Sequence, residues 1–323
     1  MQLSELKKRM KGVQVVQMTP FNEDESLDLE GLRANTRWLA EYAEGRDFIL
    51  TPCGSNGEFY AMNDGEREAA IQAVVEEAAG RVVVMAGCAH AGTRETIKAC
   101  QVAESVGADG ALVVLPYYHC PKDEGLYQHY KKVCEGVGPN FGIQLYNNPF
   151  TSGSWAKPEI VARLSKIPNF IAVKENTPYA ASYYAMHKAL NPEDTVILTG
   201  VGPPLYIFES VYGATGFITE RASFAPELEY SLYEAAVVRN FARVAEIFDS
   251  WTPYFDFVKK VEVSHGPNAG ITNRTGYMAM GVAKASLDIV GLRGGEMRLP
   301  LLGITEEEKV ELKDVLRIMG ILK

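Results

Sequence analysis

The sequence predicts a (β/α)₈ barrel followed by a helical extension, and three observations carry this prediction. Eight short β-rich runs alternate with amphipathic helical segments between residues 13 and 221. The runs recur at the regular intervals that βα units need. After residue 239 the strand pattern stops, and helical segments follow. A closed barrel of eight such units takes about 250 residues, which fits the length of the first part.

The eight predicted strands are apolar runs bounded by polar or glycine-containing segments. Right-handed crossovers between successive strands of this kind give a parallel sheet. A doubly wound open sheet is the alternative fold, but no G-x-G-x-x-G motif follows the first strand. The predicted strands span residues 13–19, 47–52, 81–87, 110–116, 141–147, 170–176, 195–201 and 215–221.

The segments between the strands carry apolar residues at helical spacing, and several of them end at a glycine. Gly45, Gly80 and Gly107 stand where a helix needs a residue in the left-handed conformation. These boundaries predict a barrel domain over residues 1–239 and a helical extension over 240–323. The extension is predicted to contain about three helices, over 241–260, 275–291 and 305–320.

Composition and charge limit the class of partner. The 323 residues are 47% hydrophobic and 23% charged, as is ordinary for a globular enzyme. A net charge of −9 argues against nucleic acid or an anionic membrane as the main partner. The five cysteines show no C-x-x-C spacing, which favours a reducing compartment. The first residues lack the apolar segment of a secretory signal, so a cytoplasmic location is predicted.

A lysine ends the most apolar predicted strand, in the stretch "FIAVKEN". Strand alternation places Lys174, together with Tyr146 of the preceding strand, toward the barrel mouth, with Ile171 and Val173 toward the helices. A partly desolvated amine becomes a nucleophile at neutral pH and can form a Schiff base with a ketone. A neighbouring phenol can move the protons that this reaction requires. The alternative is that Lys174 reaches solvent and pairs with a carboxylate such as Glu175.

Two loops after predicted strands carry further candidate site residues. In "CGSNGEF" the glycines around Ser55 and Asn56 allow successive amides to face one anion, a carboxylate or a phosphate. The alternative for this stretch is a tight turn before the next helix. Glu58 is expected to hold this loop. After strand four, "PYYHCP" forms an exposed aromatic ledge that fits a subunit contact.

The histidines and cysteines do not predict metal or hydrolase chemistry. His119 and Cys120 have no further ligands in register, and the other histidines show no H-x-H or H-E-x-x-H pattern. No G-x-S-x-G motif is present. No metal site is therefore predicted.

Four motifs in order, "GSNGE", "PYY", "YNNP" with a following "SG", and "VKE", resemble one family. The chain is similar, over nearly its whole length, to the dihydrodipicolinate synthase / N-acetylneuraminate lyase family of pyruvate-dependent class I aldolases. The resemblance implies that Lys174 forms the Schiff base with the substrate and that no other cofactor is needed. It implies that Tyr146 shuttles protons and that the Ser55 hydroxyl hydrogen-bonds this tyrosine.

The same resemblance implies how the substrate and a second subunit are placed. The amides of Ser55 and Asn56 would hold the carboxylate of a 2-oxo acid, and the Ile218 carbonyl would face the site. Tyr118 looks like the tyrosine that reaches into the neighbouring subunit's site. The family is typically a dimer of dimers, so a homotetramer is expected.

Two departures from the family pattern bear on the substrate. Members of the lysine pathway carry an arginine five residues after the strand-five tyrosine, and Thr151 stands there. The eighth predicted strand ends in Glu220 and Arg221, where relatives often carry small residues. We expect Arg221, or failing that Glu220, to contact the distal part of the substrate. The alternative is an ion pair at the barrel rim.

The sequence therefore predicts a Schiff-base lyase that acts on a 2-oxo acid. It would cleave or form a carbon–carbon bond, or eliminate water, with pyruvate plus an aldehyde, 4-hydroxy-2-oxoglutarate or a 2-keto-3-deoxy sugar acid. One alternative is 4-hydroxy-tetrahydrodipicolinate synthase of lysine biosynthesis. An alternative of another class is a non-catalytic ligand-binding barrel.

Overall fold

Eight parallel strands close into a barrel in the computed structural model, which describes residues 1–265 and 278–322. The strands pair in chain order, and the eighth pairs with the first. The predicted (β/α)₈ barrel is confirmed, and every predicted strand is present with shorter bounds. The strands are β1 Gly12–Val16, β2 Phe48–Thr51, β3 Val83–Gly87, β4 Gly110–Val114, β5 Gly142–Asn147, β6 Phe170–Glu175, β7 Val196–Thr199 and β8 Gly216–Thr219.

Helices surround the barrel, close its N-terminal end and form the extension. Short 3₁₀ turns at Phe59–Ala61, Ser210–Tyr212 and Arg221–Ser223 connect some of them to the strands. The helices of the described residues are α1 Leu3–Arg9, α2 Leu29–Ala43, α3 Asp64–Ala78, α4 Thr93–Ser105, α5 Asp123–Glu135, α6 Pro149–Ser152, α7 Pro158–Leu164, α8 Ala180–Ala189, α9 Pro203–Glu209, α10 Pro226–Val237, α11 Phe241–Ser250, α12 Thr252–His265, α13 Met278–Ile289 and α14 Glu306–Ile318.

The helix ends follow the residue types at their termini. Gly45, Gly80 and Gly107 have φ of +74°, +74° and +93°, so the predicted left-handed residues after α2, α3 and α4 are confirmed. At the other end of α3, Asn63 accepts a hydrogen bond from the Glu66 amide and forms a capping box with it.

The barrel interior combines an apolar plug with one polar contact across its width. Leu6 and Met10 of α1 pack with inward side chains of six strands and close the N-terminal end. Above them, Gln14 of β1 and Gln144 of β5 exchange two amide hydrogen bonds of 2.9 Å. Gln14 also donates to Thr51 at 2.9 Å. Both glutamines are fully buried, and their amides satisfy each other.

The inner face of β6 differs from the prediction at one residue. The pairing of β5 with β6 advances by one residue on β5, Ile143 to Gln144, and by two on β6, Phe170 to Ala172. This bulge carries Ile171 into the inner cluster beside Ala172, so the prediction that Ile171 faces the helices was wrong. Beyond the bulge the alternation resumes.

The extension has four helices in its described part, where the sequence predicted about three. The stretch 241–260 divides into α11 and α12 because Pro253 has no amide hydrogen and fits only the first turn of a helix. Part of the predicted helix 275–291 lies outside the described residues. Helices α12 to α14 share a core with Met18 and Phe224. The domain boundary after residue 239 stays a prediction.

A buried ion pair joins the extension to the loop after β2. Lys284 of α13 lies 2.5 Å from Glu58, and the two side chains are 2% and 0% exposed. Lys284 also donates to the Glu296 carbonyl and lies 4.6 Å from the Phe21 ring. Glu58 accepts a further bond from the Arg298 amide at 3.1 Å. Glu58 therefore holds the loop, as the sequence predicted.

We expect Lys284→Met to lower the free energy of unfolding by about 3 kcal/mol, because it leaves the Glu58 carboxylate buried without its cation. Chemical denaturation measures this loss. The matched control is Lys309→Met, since Lys309 pairs with Glu306 at the surface of α14 and should cost less than about 1 kcal/mol. Equal losses in the two variants would mean that the buried pair does not secure the extension.

Candidate active site

The pairing of β5 with β6 brings the two principal candidate residues together. Tyr146 and Lys174 are register partners at the C-terminal ends of these strands. The Lys174 Nζ atom lies 3.7 Å from the centroid of the Tyr146 ring. Both side chains therefore point the same way, into the barrel mouth, as the alternation predicted.

Lys174 is buried without a counter-ion. Its side chain is 5% exposed, and within residues 1–265 and 278–322 it makes no ion pair. Glu175 points to the helix side of β6, where it accepts hydrogen bonds from Asn147, Trp155 and Thr177. The alternative that Lys174 reaches solvent and pairs with Glu175 was wrong. The Lys174 amine is therefore free to react with a molecule that enters the mouth.

The hydroxyl of Tyr146 has a different partner from the expected one. Asn148 Nδ2 donates to the Tyr146 Oη atom at 2.8 Å, while its Oδ1 accepts from the Phe150 amide and begins α6. The expected hydrogen bond between Ser55 and Tyr146 does not occur in the described structure. Sequence reasoning passed over Asn148, although the "YNNP" motif contains it.

The loop after β2 presents two backbone amides without partners. The Gly57 and Glu58 amides donate back to the Gly54 and Ser55 carbonyls at 3.0 and 3.1 Å, which closes the turn. Within the described residues, the Ser55 and Asn56 amides donate to no protein atom. Two adjacent free N–H groups in a tight turn can hold one anion.

The end of β8 places a carboxylate, and not a cation, beside this loop. Asn56 Nδ2 donates to Glu220 at 3.4 Å. Arg221 is directed into the extension, where it pairs with Glu229 at 2.9 Å and lies 5.0 Å from the Trp251 ring. Arg221 is turned away from the mouth, against the expectation that it contacts the substrate, because the chain leaves the strand at Thr219 and turns into a 3₁₀ helix. It also lies 3.8 Å from Glu220, which is the ion pair that the alternative described.

The remaining candidates lie at separate points of the mouth. Ile218 belongs to the inner cluster, and its carbonyl oxygen faces Gly202 of the loop after β7. Thr151 is exposed on α6, with its hydroxyl 3.4 Å from the Asn148 carbonyl. Tyr118 is 81% exposed and contacts His119 edge-on.

Residues 9–319 match the model of the dihydrodipicolinate synthetase family. The chain belongs to this family. A 4-hydroxy-tetrahydrodipicolinate synthase from Archaeoglobus fulgidus is 32% identical over 96% of this chain and 99% of its own. One from Anaeromyxobacter is 32% identical over 97% and 98%. Members of this family are class I lyases that act through a lysine Schiff base.

Solved structures of the family have the same fold. The dihydrodipicolinate synthase of Aquifex aeolicus superposes with a TM-score of 0.83 at 30% identity, covering 97% of this chain and 99% of its own. A monomeric dihydrodipicolinate synthase variant gives a TM-score of 0.83 at 29% identity, covering 97% and 98%.

The described residues contain neither a cluster of metal-binding side chains nor a helix that could span a membrane. No group of three or more His, Cys, Asp and Glu side chains in this part of the chain could hold a metal ion. In the same residues, no helix is both long and apolar enough to cross a membrane. The cytoplasmic location stays a prediction.

Two buried carboxyl groups lie behind the strands; the sequence indicated Glu175 only as a partner of Lys174 and did not single out Glu209. Glu175 and Glu209 are 1% and 2% exposed, and neither makes an ion pair within the described residues. Thr199, the register partner of Glu175 on β7, donates to Glu209 at 2.6 Å. Burial raises the pKa of Glu175 to about 7 and that of Glu209 to about 8, the latter with help from the Glu175 charge.

Glu209→Gln should flatten the fall of stability with rising pH. Between the ordinary glutamate pKa of 4.5 and a pKa of about 8, folded Glu209 keeps a proton that the unfolded chain has lost, so its contribution is lost as pH rises through this window. Between pH 5 and pH 8 we expect the variant to lose less unfolding free energy than the native protein, by on the order of 2 kcal/mol. Denaturant titrations at each pH measure the slope.

The control for this titration is Glu234→Gln, on the exposed face of α10, which should leave the pH dependence unchanged. An unchanged slope in Glu209→Gln would show that Glu209 ionises in the folded protein as it does in the unfolded chain.

Proposed function

We propose that this protein is a lyase in which Lys174 forms a Schiff base with a 2-oxo acid such as pyruvate. The observation that carries the proposal is the Lys174 amine, buried without a counter-ion among the described residues and 3.7 Å from the Tyr146 ring. A lysine amine placed at the mouth of the barrel can attack the ketone of a substrate. The second site residue, Tyr146, supplies a phenol that can move the protons of this reaction.

Substrate binding begins at the loop after β2. The free amides of Ser55 and Asn56 hold the carboxylate of the 2-oxo acid, which aims the neighbouring ketone toward Lys174. Nζ attacks the ketone carbon, and Tyr146 passes a proton to the oxygen. The carbinolamine then loses water and becomes the iminium. Asn148 keeps the Tyr146 hydroxyl in place during these transfers.

The protonated iminium nitrogen stabilises the electron pair that develops on C3, the carbon next to the iminium carbon. A C3 proton can then pass to Tyr146, which gave up its own proton in the dehydration, or the C3–C4 bond can break, and either step gives the enamine. Bond formation with an aldehyde is the reverse of the cleavage, and water returns the free ketone and Lys174. These steps use the lysine alone as electron sink, so we expect turnover to be insensitive to chelators.

4-Hydroxy-tetrahydrodipicolinate synthesis is the specific reaction that the comparisons favour. The curated relatives described above carry this name and match nearly the whole chain. This was the alternative in the sequence prediction, and it agrees with the comparisons better than the first choice does. Relief of a lysine auxotroph that lacks the synthase tests it directly.

Cleavage or dehydration of a hydroxylated 2-oxo acid is the second candidate, and one observation favours it. In the described mouth, Thr151 stands in place of the family's arginine, and Glu220 lies beside the carboxylate loop, 3.4 Å from Asn56 and 3.8 Å from Arg221. A carboxylate there suits hydroxyl donors better than a second carboxylate. Release of pyruvate from 4-hydroxy-2-oxoglutarate or a 2-keto-3-deoxy sugar acid, without relief of the auxotroph, would support this candidate.

Pyruvate followed by borohydride should leave a reduced adduct on the peptide that contains Lys174. Reduction fixes the iminium as a stable secondary amine, which peptide mass spectrometry locates. Lys174→Ala should give no adduct. Lys157→Ala, which removes an exposed lysine paired with Asp123, should behave like the native protein. Absence of an adduct on folded protein, with pyruvate and larger 2-oxo acids alike, would refute the proposed function and favour a ligand-binding barrel.

Two exposed aromatic surfaces support a homotetramer built as a dimer of dimers. Tyr118 projects from the loop after β4, on one side of the molecule. A second patch on α8, α9 and the following turn comprises the exposed side chains of Tyr179, Tyr184, Phe208 and Tyr212. Apolar patches of this kind mark subunit contacts, and two different patches can build two different interfaces.

Sedimentation velocity should therefore give the mass of four chains. Phe208→Glu, which puts a charge into the second patch, should reduce it to two. One solved relative is described as a monomeric variant, so the assembly has to be measured on this chain. A single-chain mass for the fully active native protein would contradict the role given to Tyr118.

A further inference from the structure

The outward faces of β5 and β6 carry a hydrogen-bonded pair directly behind the reactive pair. Asn147 follows Tyr146, Glu175 follows Lys174, and the two followers are register partners, as the two reactive residues are. Asn147 Nδ2 donates to Glu175 Oε2 at 2.8 Å. Both are at most 1% exposed. One side-chain contact on the helix side therefore spans the same two strands that hold the reactive side chains.

Three fixed donors point at the Glu175 carboxyl. The amide of Asn147 cannot turn over, because its Oδ1 accepts from the Ala156 amide at 2.8 Å and its Nδ2 also donates to the Ala156 carbonyl at 3.0 Å. Trp155 Nε1 and the Thr177 amide both donate to Oε1 at 3.2 Å. Both carboxyl oxygens thus act as acceptors. These three groups can only donate, which favours the ionised form of Glu175.

The neighbouring Glu209 has the opposite environment. Its one hydrogen-bond partner in the described residues is the Thr199 hydroxyl, which can accept as well as donate. Ionising both of two adjacent buried carboxyl groups costs free energy. Their different hydrogen-bond partners therefore favour an ionised Glu175 and a protonated Glu209. The titratable side chains on the helices over β6 and β7 are Tyr183, Tyr184, His187 and Lys188 of α8 and Tyr206 and Glu209 of α9, and on β6 itself the other such group is Lys174.

We propose that the Glu175 carboxylate is a positioning residue for the Schiff base, with Glu209 as its protonated neighbour. Through Asn147 it keeps the strand ends in the register that sets Lys174 against Tyr146. Its negative charge lies one residue from Lys174, on the other face of β6, and stabilises the iminium cation through a low-dielectric layer. This inference rests on the Schiff-base function proposed above.

The role predicts a specific pH dependence. Burial raises the pKa of Glu175 to about 7, and the donors limit that rise. The carboxylate is present above this pH and is lost as pH falls through it. Formation of the iminium and enamine should therefore weaken below about pH 7.

The measurement is the exchange of the pyruvate methyl hydrogens for deuterium in D₂O, followed by NMR. This exchange needs the iminium and the enamine but no second substrate, so it applies whichever reaction the enzyme performs. Rates are taken from pH 5.5 to pH 9 over a range of pyruvate concentrations. The exchange rate of the native protein should fall as the pH drops below about 7, and this fall is the acid limb of its pH profile.

Glu175→Gln removes the charge and should slow the maximal exchange by about tenfold or more. The limb near pH 7 should disappear, because the group that titrates there is gone. Half-saturation by pyruvate should change less than about threefold, since the carboxylate loop is untouched. The matched control, Glu209→Gln, makes the same chemical change in the neighbouring buried carboxyl group. This variant should retain the acid limb of the exchange rate.

Trp155→Phe tests the same role without removing the carboxylate. It deletes one donor to Glu175, which should move the acid limb upward by about half a pH unit or more. The proposal is overturned if the acid limb of the exchange rate stays at the same pH in Trp155→Phe and in folded Glu175→Gln. It is also overturned if Glu209→Gln loses this limb. If native protein gives neither exchange nor a borohydride adduct on Lys174, the proposed function itself fails. An adduct and exchange with unmoved limbs reject only the role of Glu175.

Discussion

The register between β5 and β6 is the constraint on which the site depends. It places a phenol and an amine side by side on the inner face, and an amide and a carboxyl side by side on the outer face. Because side chains alternate along a strand, a slip of one residue would turn the Lys174 amine toward the helices and the Glu175 carboxyl into the mouth. The bulge at Ile171 shifts the pairing below the site and leaves the register correct where the chemistry lies.

Much of this arrangement follows from local patterns. Apolar runs with a fixed period locate all eight strands, and glycines in the left-handed conformation locate three helix ends. The pairing of Tyr146 with Lys174 could be predicted because it needs only strand alternation and the neighbouring places of two strands in a parallel barrel. Where the prediction used nothing beyond chain-local geometry and strand order, the structure agrees with it except at Ile171, which the bulge in β6 turns inward.

The other differences between prediction and structure arise where contacts outside the strands set the direction of a side chain. Arg221 stands at a strand end, but the Glu229 carboxylate and the Trp251 ring of later helices take it away from the mouth. Asn148 replaces Ser55 as the partner of the Tyr146 hydroxyl because the turn into α6 brings its amide back over the ring. The roles of Glu175 and its neighbour depend on donors supplied by a loop and a helix, which strand parity does not describe.

The amide pair between Gln14 and Gln144 has a consequence for how the sequence can vary. The two residues are 130 positions apart and belong to strands on opposite sides of the barrel. An apolar residue at either position would leave at least one polar atom of the other amide buried without a partner, which costs more than replacing both. Gln14 and Gln144 are therefore expected to be replaced together and not one at a time. The polar layer beneath Lys174 can become apolar only if both residues change.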